Sequence, residues 1–168
     1  ARLDGWLRAP QAPPLSDPLD GRAALAARRL IPCFPGTFEE GPVRILRAFR
    51  FVAELDFTLE PDATALMARA LPGLARVSGE RVRDELLAIL ETDRAAAAVR
   101  ALNELGALDV LFPELVPGRG LDQGTFHHLD VLGHQLETVA QADRFLADFA
   151  EFFAKIRPET PKVRDILI

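Results

Sequence analysis

After Pro42, apolar residues recur at three- and four-residue steps along most of the chain, the spacing of one face of an α-helix. The first run places Ile45, Phe49 and Val52 on one stripe and predicts a helix over 43–55. Further helices are predicted over 61–71, from Ser78 to 90, from Thr92 or Asp93 to Gly106, as a short turn through 111, and over 129–155 with a break near 142 or 143. The pattern predicts a mainly α fold.

The N-terminal part of the chain lacks this periodicity. Four prolines within residues 9–18 indicate an irregular connection, because proline continues neither a helix nor a central strand. Residues 21–33, GRAALAARRLIPC, hold Leu25, Leu30 and Ile31 around a polar turn, which predicts a short hairpin or extended pair. A small β or extended segment is therefore expected near the N-terminus.

Composition is that of an ordinary globular chain. The 168 residues are 49% hydrophobic and 27% charged, and no apolar run approaches the roughly 20 residues of a membrane span. The single cysteine, Cys33, excludes an internal disulfide and is predicted to be a buried structural thiol. With no secretory signal visible, an intracellular, cytoplasmic protein is expected.

The net charge of -5 is unevenly distributed. Acidic and basic side chains balance over residues 1–100, where every basic residue is an arginine, and the acidic excess lies in residues 101–168. Arginine suits bidentate contacts with phosphate. A polyanionic partner is therefore expected at the first hundred residues.

The stretch FEEGPVRILRAFRF carries arginines 44, 47 and 50 on the first long helix. At 100° per residue they fan over about 120°, beside the apolar stripe. Two interpretations are open. The arginines form a solvated face paired with Glu39 and Glu40, or Arg44 and the free N–H groups of the helix start form a phosphate or nucleotide site.

The segment from Ser16 to 66, with RVSGERVRDELLAIL and LNELGALDVLFPEL further on, resembles the bacterial (second-class) tRNA nucleotidyltransferase and poly(A) polymerase family. The likeness covers about residues 17–140 and falls on the family's helical neck and body. It implies three regions: 1–41 as the remnant of the nucleotide-binding head and linker, 42–120 as the neck and body, and 121–168 as the start of an HD-like or tail region.

The resemblance also assigns roles to residues. Glu40 and Arg44 match the acid and arginine that template the incoming CTP or ATP base. The candidates for RNA phosphate contacts are Arg47, Arg50, Arg81 and Arg83. For the family, Mg²⁺ and ATP or CTP are the expected cofactor and substrates, and tRNA or another RNA is the expected partner, without membrane or DNA.

Three positions depart from the family pattern. Gly41 stands where an aspartate would accept hydrogen bonds from the base, Ala24 replaces an aspartate, and Asp56 replaces a usual glycine. The paired metal-binding carboxylates of nucleotidyl transfer (D-x-D) are also missing from the sequence. No catalytic residue is therefore expected here. The chain is expected to be one piece of a longer protein, with the catalytic palm domain in cis or in trans.

A histidine cluster suggests a different enzyme class. His127, His128, Asp130 and His134 fall within eight residues, and Asp130 and His134 would share a helix face. HD-type phosphohydrolases bind metal through such residues together with a His-Asp pair, which is missing here. We expect no metal site, and His134, the weak candidate ligand, is expected to cap or pack.

Three functions are therefore open. The first is the nucleotide-templating and tRNA-binding part of a tRNA nucleotidyltransferase or poly(A) polymerase. The second is a degenerate, non-catalytic homologue that serves as an RNA-binding or scaffold module. The third is a piece of an HD-type metal phosphohydrolase.

Overall fold

The computed structural model describes residues 16–121 and 129–156. Within these ranges the chain is helical apart from two short paired strands, so the mainly α fold class is confirmed. The helices are α1 (Gly21–Ala26), α2 (Thr37–Glu40), α3 (Arg44–Leu55), α4 (Pro61–Ala70), α5 (Gly79–Leu90), α6 (Ala95–Leu105), α7 (Ala107–Leu111) and α8 (Val131–Ile156). The strands are β1 (Arg29–Leu30) and β2 (Thr58–Leu59), and 3₁₀ turns follow α4 (Leu71–Arg76) and α7 (Pro113–Gly118).

Helices α3 and α5 lie side by side and run the same way, as contacts before, within and after them indicate. Gly73, just before α5, lies against the ring of Pro42, just before α3. In mid-helix, Arg50 of α3 reaches Glu85 of α5. The two helices therefore begin at one end of the bundle and finish at the other.

The core lies where these helices meet. Its largest fully buried side chains are Ile45, Leu46, Met67, Leu74, Ile89 and Leu102. Burial of each contributes roughly 1.5–3 kcal/mol. The predicted stripe of α3 is buried apart from Val52, which is half-buried, and Leu90 at the end of α5 is exposed.

The predicted hairpin over residues 21–33 is wrong. The first part of that stretch is α1, whose first amides, Gly21 and Arg22, donate to the Asp17 carboxylate. The second part is β1, which pairs in parallel with β2, so Arg29 opposes Thr58 and Leu30 opposes Leu59. The strand partner lies almost thirty residues away and could not be read from local turn signals. An extended segment near the N-terminus is nevertheless present.

Local sequence signals marked several helix ends. Pro61 opens α4 as predicted, and Ser78 occupies the N-cap position of α5, although its side chain makes no capping bond. Gly106 ends α6 with φ 86°, a left-handed conformation that glycine adopts without strain. The residues expected to cap α6, Thr92 and Asp93, lie before its actual N-cap, Arg94.

Helix α8 is continuous through residues 142 and 143, so the predicted break is wrong. The Asp143 carboxylate accepts the backbone N–H of Ala96, in the first turn of α6, at 2.8 Å. Arg100 of α6 bonds Glu137 of α8 at 2.7 Å. The polar residues near the expected break therefore join α8 to α6 rather than interrupt it.

Candidate functional site

A cavity of about 250 Å³ lies between the entry segment (residues 27–36), α2, α3 and α4. Leu30, Ile31, Pro32 and Cys33 form one wall, and α3 forms the other. The lining is mostly apolar and includes two arginines of α3, 44 and 47. An apolar cavity with arginines in its lining can accommodate an apolar group that carries a negative charge. Cys33 is exposed here, which corrects the expectation of a buried thiol.

Arg44 folds back over Gly41. Its Nη1 donates to the Thr37 carbonyl oxygen at 2.8 Å. A Cβ at position 41 would lie 3.0 Å from Nε and 3.2 Å from Cζ of Arg44, so glycine gives this arginine the room it occupies. The same glycine leaves position 41 without a side-chain acceptor.

Glu40 does not pair with the α3 arginines. It is exposed at the last position of α2, and within residues 16–121 and 129–156 no ion pair involves it. Glu39 instead lies 3.8 Å from Arg69 of α4. The structure therefore contradicts the predicted ion pairs of Glu39 and Glu40 with the arginines of α3. Glu40 and Arg44 lie on either side of the Gly41–Pro42 break and form no ion pair with each other.

Arg47 and Arg50 have different surroundings. Both guanidiniums lie over the Phe51 ring, at 5.6 and 4.7 Å from its centroid. Arg50 is only 20% exposed and bonds Glu85 at 2.8 Å and Glu54 at 3.1 Å, which ties α3 to α5. Arg47 is exposed, and the described residues give it no carboxylate partner. An RNA phosphate can approach Arg47 directly but would have to displace two carboxylates from Arg50.

The two α5 candidates also differ. Arg83 forms an exposed ion pair with its neighbour Asp84 at 2.7 Å. Arg81 is exposed, and no described carboxylate pairs with it. Arg76, at the end of the 3₁₀ turn before α5, is exposed in the same way and was missed in the sequence. Its position two residues before the predicted N-cap, Ser78, could have identified Arg76 as a cation near the start of α5.

Three of these arginines lie at one end of the bundle. Arg44 opens α3, and Arg76 and Arg81 flank the start of α5, which runs beside α3 in the same direction. Helix starts carry partial positive charge from unpaired N–H groups. The guanidiniums and the two helix starts therefore each contribute positive charge at this end, where Glu80 in the first turn of α5 contributes a negative one.

The histidine cluster does not form a metal centre in the part of the chain that the structure describes. His127 and His128 lie outside it, and no group of three His, Cys, Asp or Glu residues within it could hold a metal ion. Asp130 precedes α8, where hydrogen bonds from the amides of Gly120 and Gly133 and the nearby Arg119 hold its pKa below the ordinary value. His134 is an exposed residue of the first turns of α8.

The described residues do not fit Mg²⁺ either, since that ion prefers clustered carboxylates and no such group faces the cavity. Among the described helices, none is both long and apolar enough to cross a membrane.

Residues 56–118 match the family model described as the probable RNA and SrmB- binding site of polymerase A. The chain is 44% identical over 135 residues to an A-adding tRNA nucleotidyltransferase of Deinococcus radiodurans, a match that covers 76% of this chain and 30% of that protein. It is 42% identical over 98 residues to a CC-adding tRNA nucleotidyltransferase of Geobacter sulfurreducens, covering 58% and 23%.

A crystal structure of a tRNA nucleotidyltransferase complexed with a primer tRNA and an incoming ATP analog has a similar fold. Its TM-score is 0.62 at 24% identity, over 86% of this chain and 38% of that one. The matched part of this chain spans less than a third of the length of the Deinococcus radiodurans and Geobacter sulfurreducens relatives.

Proposed function

Because this chain belongs to the bacterial tRNA nucleotidyltransferase and poly(A) polymerase family and matches its neck and body region, we propose that it binds tRNA and templates the incoming nucleotide. The family adds CTP- and ATP-derived nucleotides to the tRNA 3′ end. The observation that carries the proposal is a group of four exposed arginines for which the described residues provide no carboxylate partner. Arg44 and Arg47 line the cavity, and Arg76 and Arg81 flank the start of α5.

These residues make two kinds of contact, one with the nucleotide and one with RNA phosphates. Arg44, which lines the cavity, and Glu40, at the end of α2, meet the nucleotide, and Arg44 supplies donors and positive charge. Arg47, Arg76 and Arg81 meet RNA phosphates, because their guanidiniums are exposed and unneutralised. Arg50 and Arg83 contribute less, because carboxylates already hold them.

Nucleotide addition itself requires a catalytic palm domain, in cis or in trans. In this family Mg²⁺ activates the 3′ hydroxyl and neutralises the triphosphate, and we place its ligands on the palm. We also propose the division of this chain into head and linker remnant (1–41), neck and body (42–120) and tail region (121–168), and a cytoplasmic location. The family-model match over 56–118 falls within the second region.

RNA binding is tested by fluorescence anisotropy with labelled tRNA at about 50 and 200 mM salt, where phosphate contacts weaken steeply. We expect affinity to fall with salt and to fall further in Arg44→Ala/Arg47→Ala and in Arg81→Ala. Each lost phosphate contact should lower the salt slope by about 1. Arg83→Ala is the matched control two residues along α5, and its effect should be smaller. Binding that is independent of salt and of all these variants would contradict the proposal.

A scaffold module without base selection is the second candidate. The observation that favours it is Gly41, which supplies no acceptor and lets Arg44 bond the Thr37 carbonyl instead of a ligand. Gly41→Asp restores an acceptor, and Gly41→Ala adds the same Cβ without one. If the site templates a base, calorimetry should show that Gly41→Asp binds ATP or CTP more tightly than Gly41→Ala. Equal affinities of the two variants would favour the scaffold. The described residues give no support to an HD-type hydrolase.

A further inference from the structure

Two backbone hydrogen bonds attach the cavity wall formed by the entry segment to the bundle. The amide of Thr58 donates to the Arg28 carbonyl oxygen at 2.8 Å, and that of Glu60 donates to the Leu30 carbonyl oxygen at 3.3 Å. These are the bonds of a parallel pair only two residues long. So short a pair is not stable by itself, so side-chain contacts must help to hold it.

Asp56 provides such a contact from an unusual backbone position. It follows α3 with φ 58°, in the left-handed region that few residues other than glycine adopt. One carboxylate oxygen bonds Arg28 of the entry segment at 3.2 Å, and the other bonds Arg94, which precedes α6. A single side chain therefore joins the entry segment, the end of α3 and the start of α6.

Arg28 occupies the left-handed region as well, with φ 52°, immediately before β1. Its carbonyl oxygen accepts the first strand hydrogen bond, and its guanidinium donates to the Asp56 carboxylate. The backbone hydrogen bond and the ion pair thus both act on Arg28. This residue lies two positions before Leu30, where the cavity wall begins. Arg29 adds a second ion pair, with Glu60.

We infer that Asp56 is a positioning residue: by bridging Arg28 and Arg94 it holds the entry segment on the bundle and so sets the position of the cavity wall that faces Arg44 and Arg47. The effect on the wall follows from contacts within this chain, whereas the effect on ligand affinity rests on the proposed function. Loss of the carboxylate opens the β1–β2 pairing without unfolding the helices.

Two substitutions of Asp56 separate the effect of its charge from the effect of its backbone conformation. Asp56→Gly keeps the left-handed turn and removes the side chain, and Asp56→Asn keeps the shape and removes the charge. Asp93→Asn is the matched control, since it removes an exposed carboxylate next to Arg94 that forms no ion pair within the described residues. Amide hydrogen exchange at Thr58 and Glu60 reports directly on opening of the strand pair.

For both Asp56 variants we expect exchange at Thr58 and Glu60 to accelerate about threefold to tenfold, the scale of losing two exposed ion pairs. Exchange at the core amides of Leu46 and Leu102 should stay unchanged, as should all rates in Asp93→Asn. Wild-type rates at Thr58 and Glu60 in both variants would overturn the inference. Equal acceleration at every amide would also overturn it, because that result means general destabilisation.

ATP binding by calorimetry is the second measurement. We expect Asp56→Asn to bind ATP about threefold to tenfold more weakly than wild type and Asp93→Asn to bind it equally well. If wild type binds no ATP, the proposed nucleotide site fails, and the exchange rates alone still decide whether Asp56 holds the entry segment. Weaker ATP binding without faster exchange at Thr58 would place the effect of Asp56 elsewhere and overturn the inference.

Discussion

Gly73 lies so close to Pro42 that it has no room for a side chain. A Cβ at this position would lie 2.5 Å from Cγ of the proline ring, well inside van der Waals contact. We expect Gly73→Ala to lower the free energy of unfolding by about 1–3 kcal/mol, because the rigid ring and the buried backbone must separate. Denaturant unfolding followed by circular dichroism measures the change.

Gly79→Ala is the matched control for this substitution. A Cβ there meets nothing within 4 Å, and the residue is the first of α5. Its expected effect is neutral, or stabilising by up to about 1 kcal/mol, because alanine loses less chain entropy than glycine. If both variants unfold at the same denaturant concentration as wild type, the close contact between positions 42 and 73 is contradicted.

At the residue scale, the sequence identified the arginines but not their surroundings. Arg44, Arg47 and Arg50 share one spacing, yet only Arg50 is held by two carboxylates. The difference arises because Glu85 comes from α5, thirty-five positions away along the chain. Local spacing shows that the three arginines lie beside the stripe, and only helix packing decides which of them stays available to a ligand.

At the scale of elements, Arg50 joins α3 to α5, and its loss should be structural. Arg50→Ala leaves Glu85, whose side chain is 17% exposed, without its cation. We expect a loss of about 1–3 kcal/mol in the free energy of unfolding, the cost of an unpaired, largely buried charge. Arg47→Ala should leave stability nearly unchanged and weaken tRNA binding instead. The opposite assignment, with a stable Arg50→Ala and an unstable Arg47→Ala, would refute this division.

Element boundaries were predictable where a local signal fixes them. Pro61 and Gly106 each mark a helix end because of backbone geometry that does not depend on distant residues. Ser78 stands at the N-cap position of α5, as its residue type predicted. The parallel pairing of β1 with β2 was not predictable, since its partners are far apart in sequence. Continuity of α8 was missed for a similar reason: Asp143 finds its hydrogen-bond donor on α6.

At the scale of the whole molecule, three carboxyl groups within the part of the chain that the structure describes make stability sensitive to acid. A hydrogen bond from Arg94 lowers the pKa of Asp56, amide hydrogen bonds lower that of Asp130, and a hydrogen bond from Gln141 lowers that of Glu137. Their stabilisation is complete above their ordinary pKa values, 3.8 for Asp and 4.5 for Glu, and is lost as pH falls through the lower folded-state values.

We therefore expect the thermal midpoint to hold between neutral pH and about pH 5 and to fall below it. Asp130→Asn should show a lower midpoint at neutral pH and a flatter decline in acid. Asp148→Asn, which removes an exposed carboxylate of α8, should follow the wild-type curve. An Asp130→Asn curve parallel to wild type down to pH 3 would show that this group does not contribute.

The anchoring of α8 also has a mechanical consequence. Glu137 and Asp143 attach its first half to α6, and the helix then continues without interruption for thirteen residues to Ile156. At 1.5 Å per residue this second half is a stiff arm about 20 Å long. A tilt of about 5° in α6 would therefore displace the end of the arm by about 2 Å. A small rotation of α6 would thus move the residues that follow Ile156 by a larger distance than it moves Glu137 and Asp143.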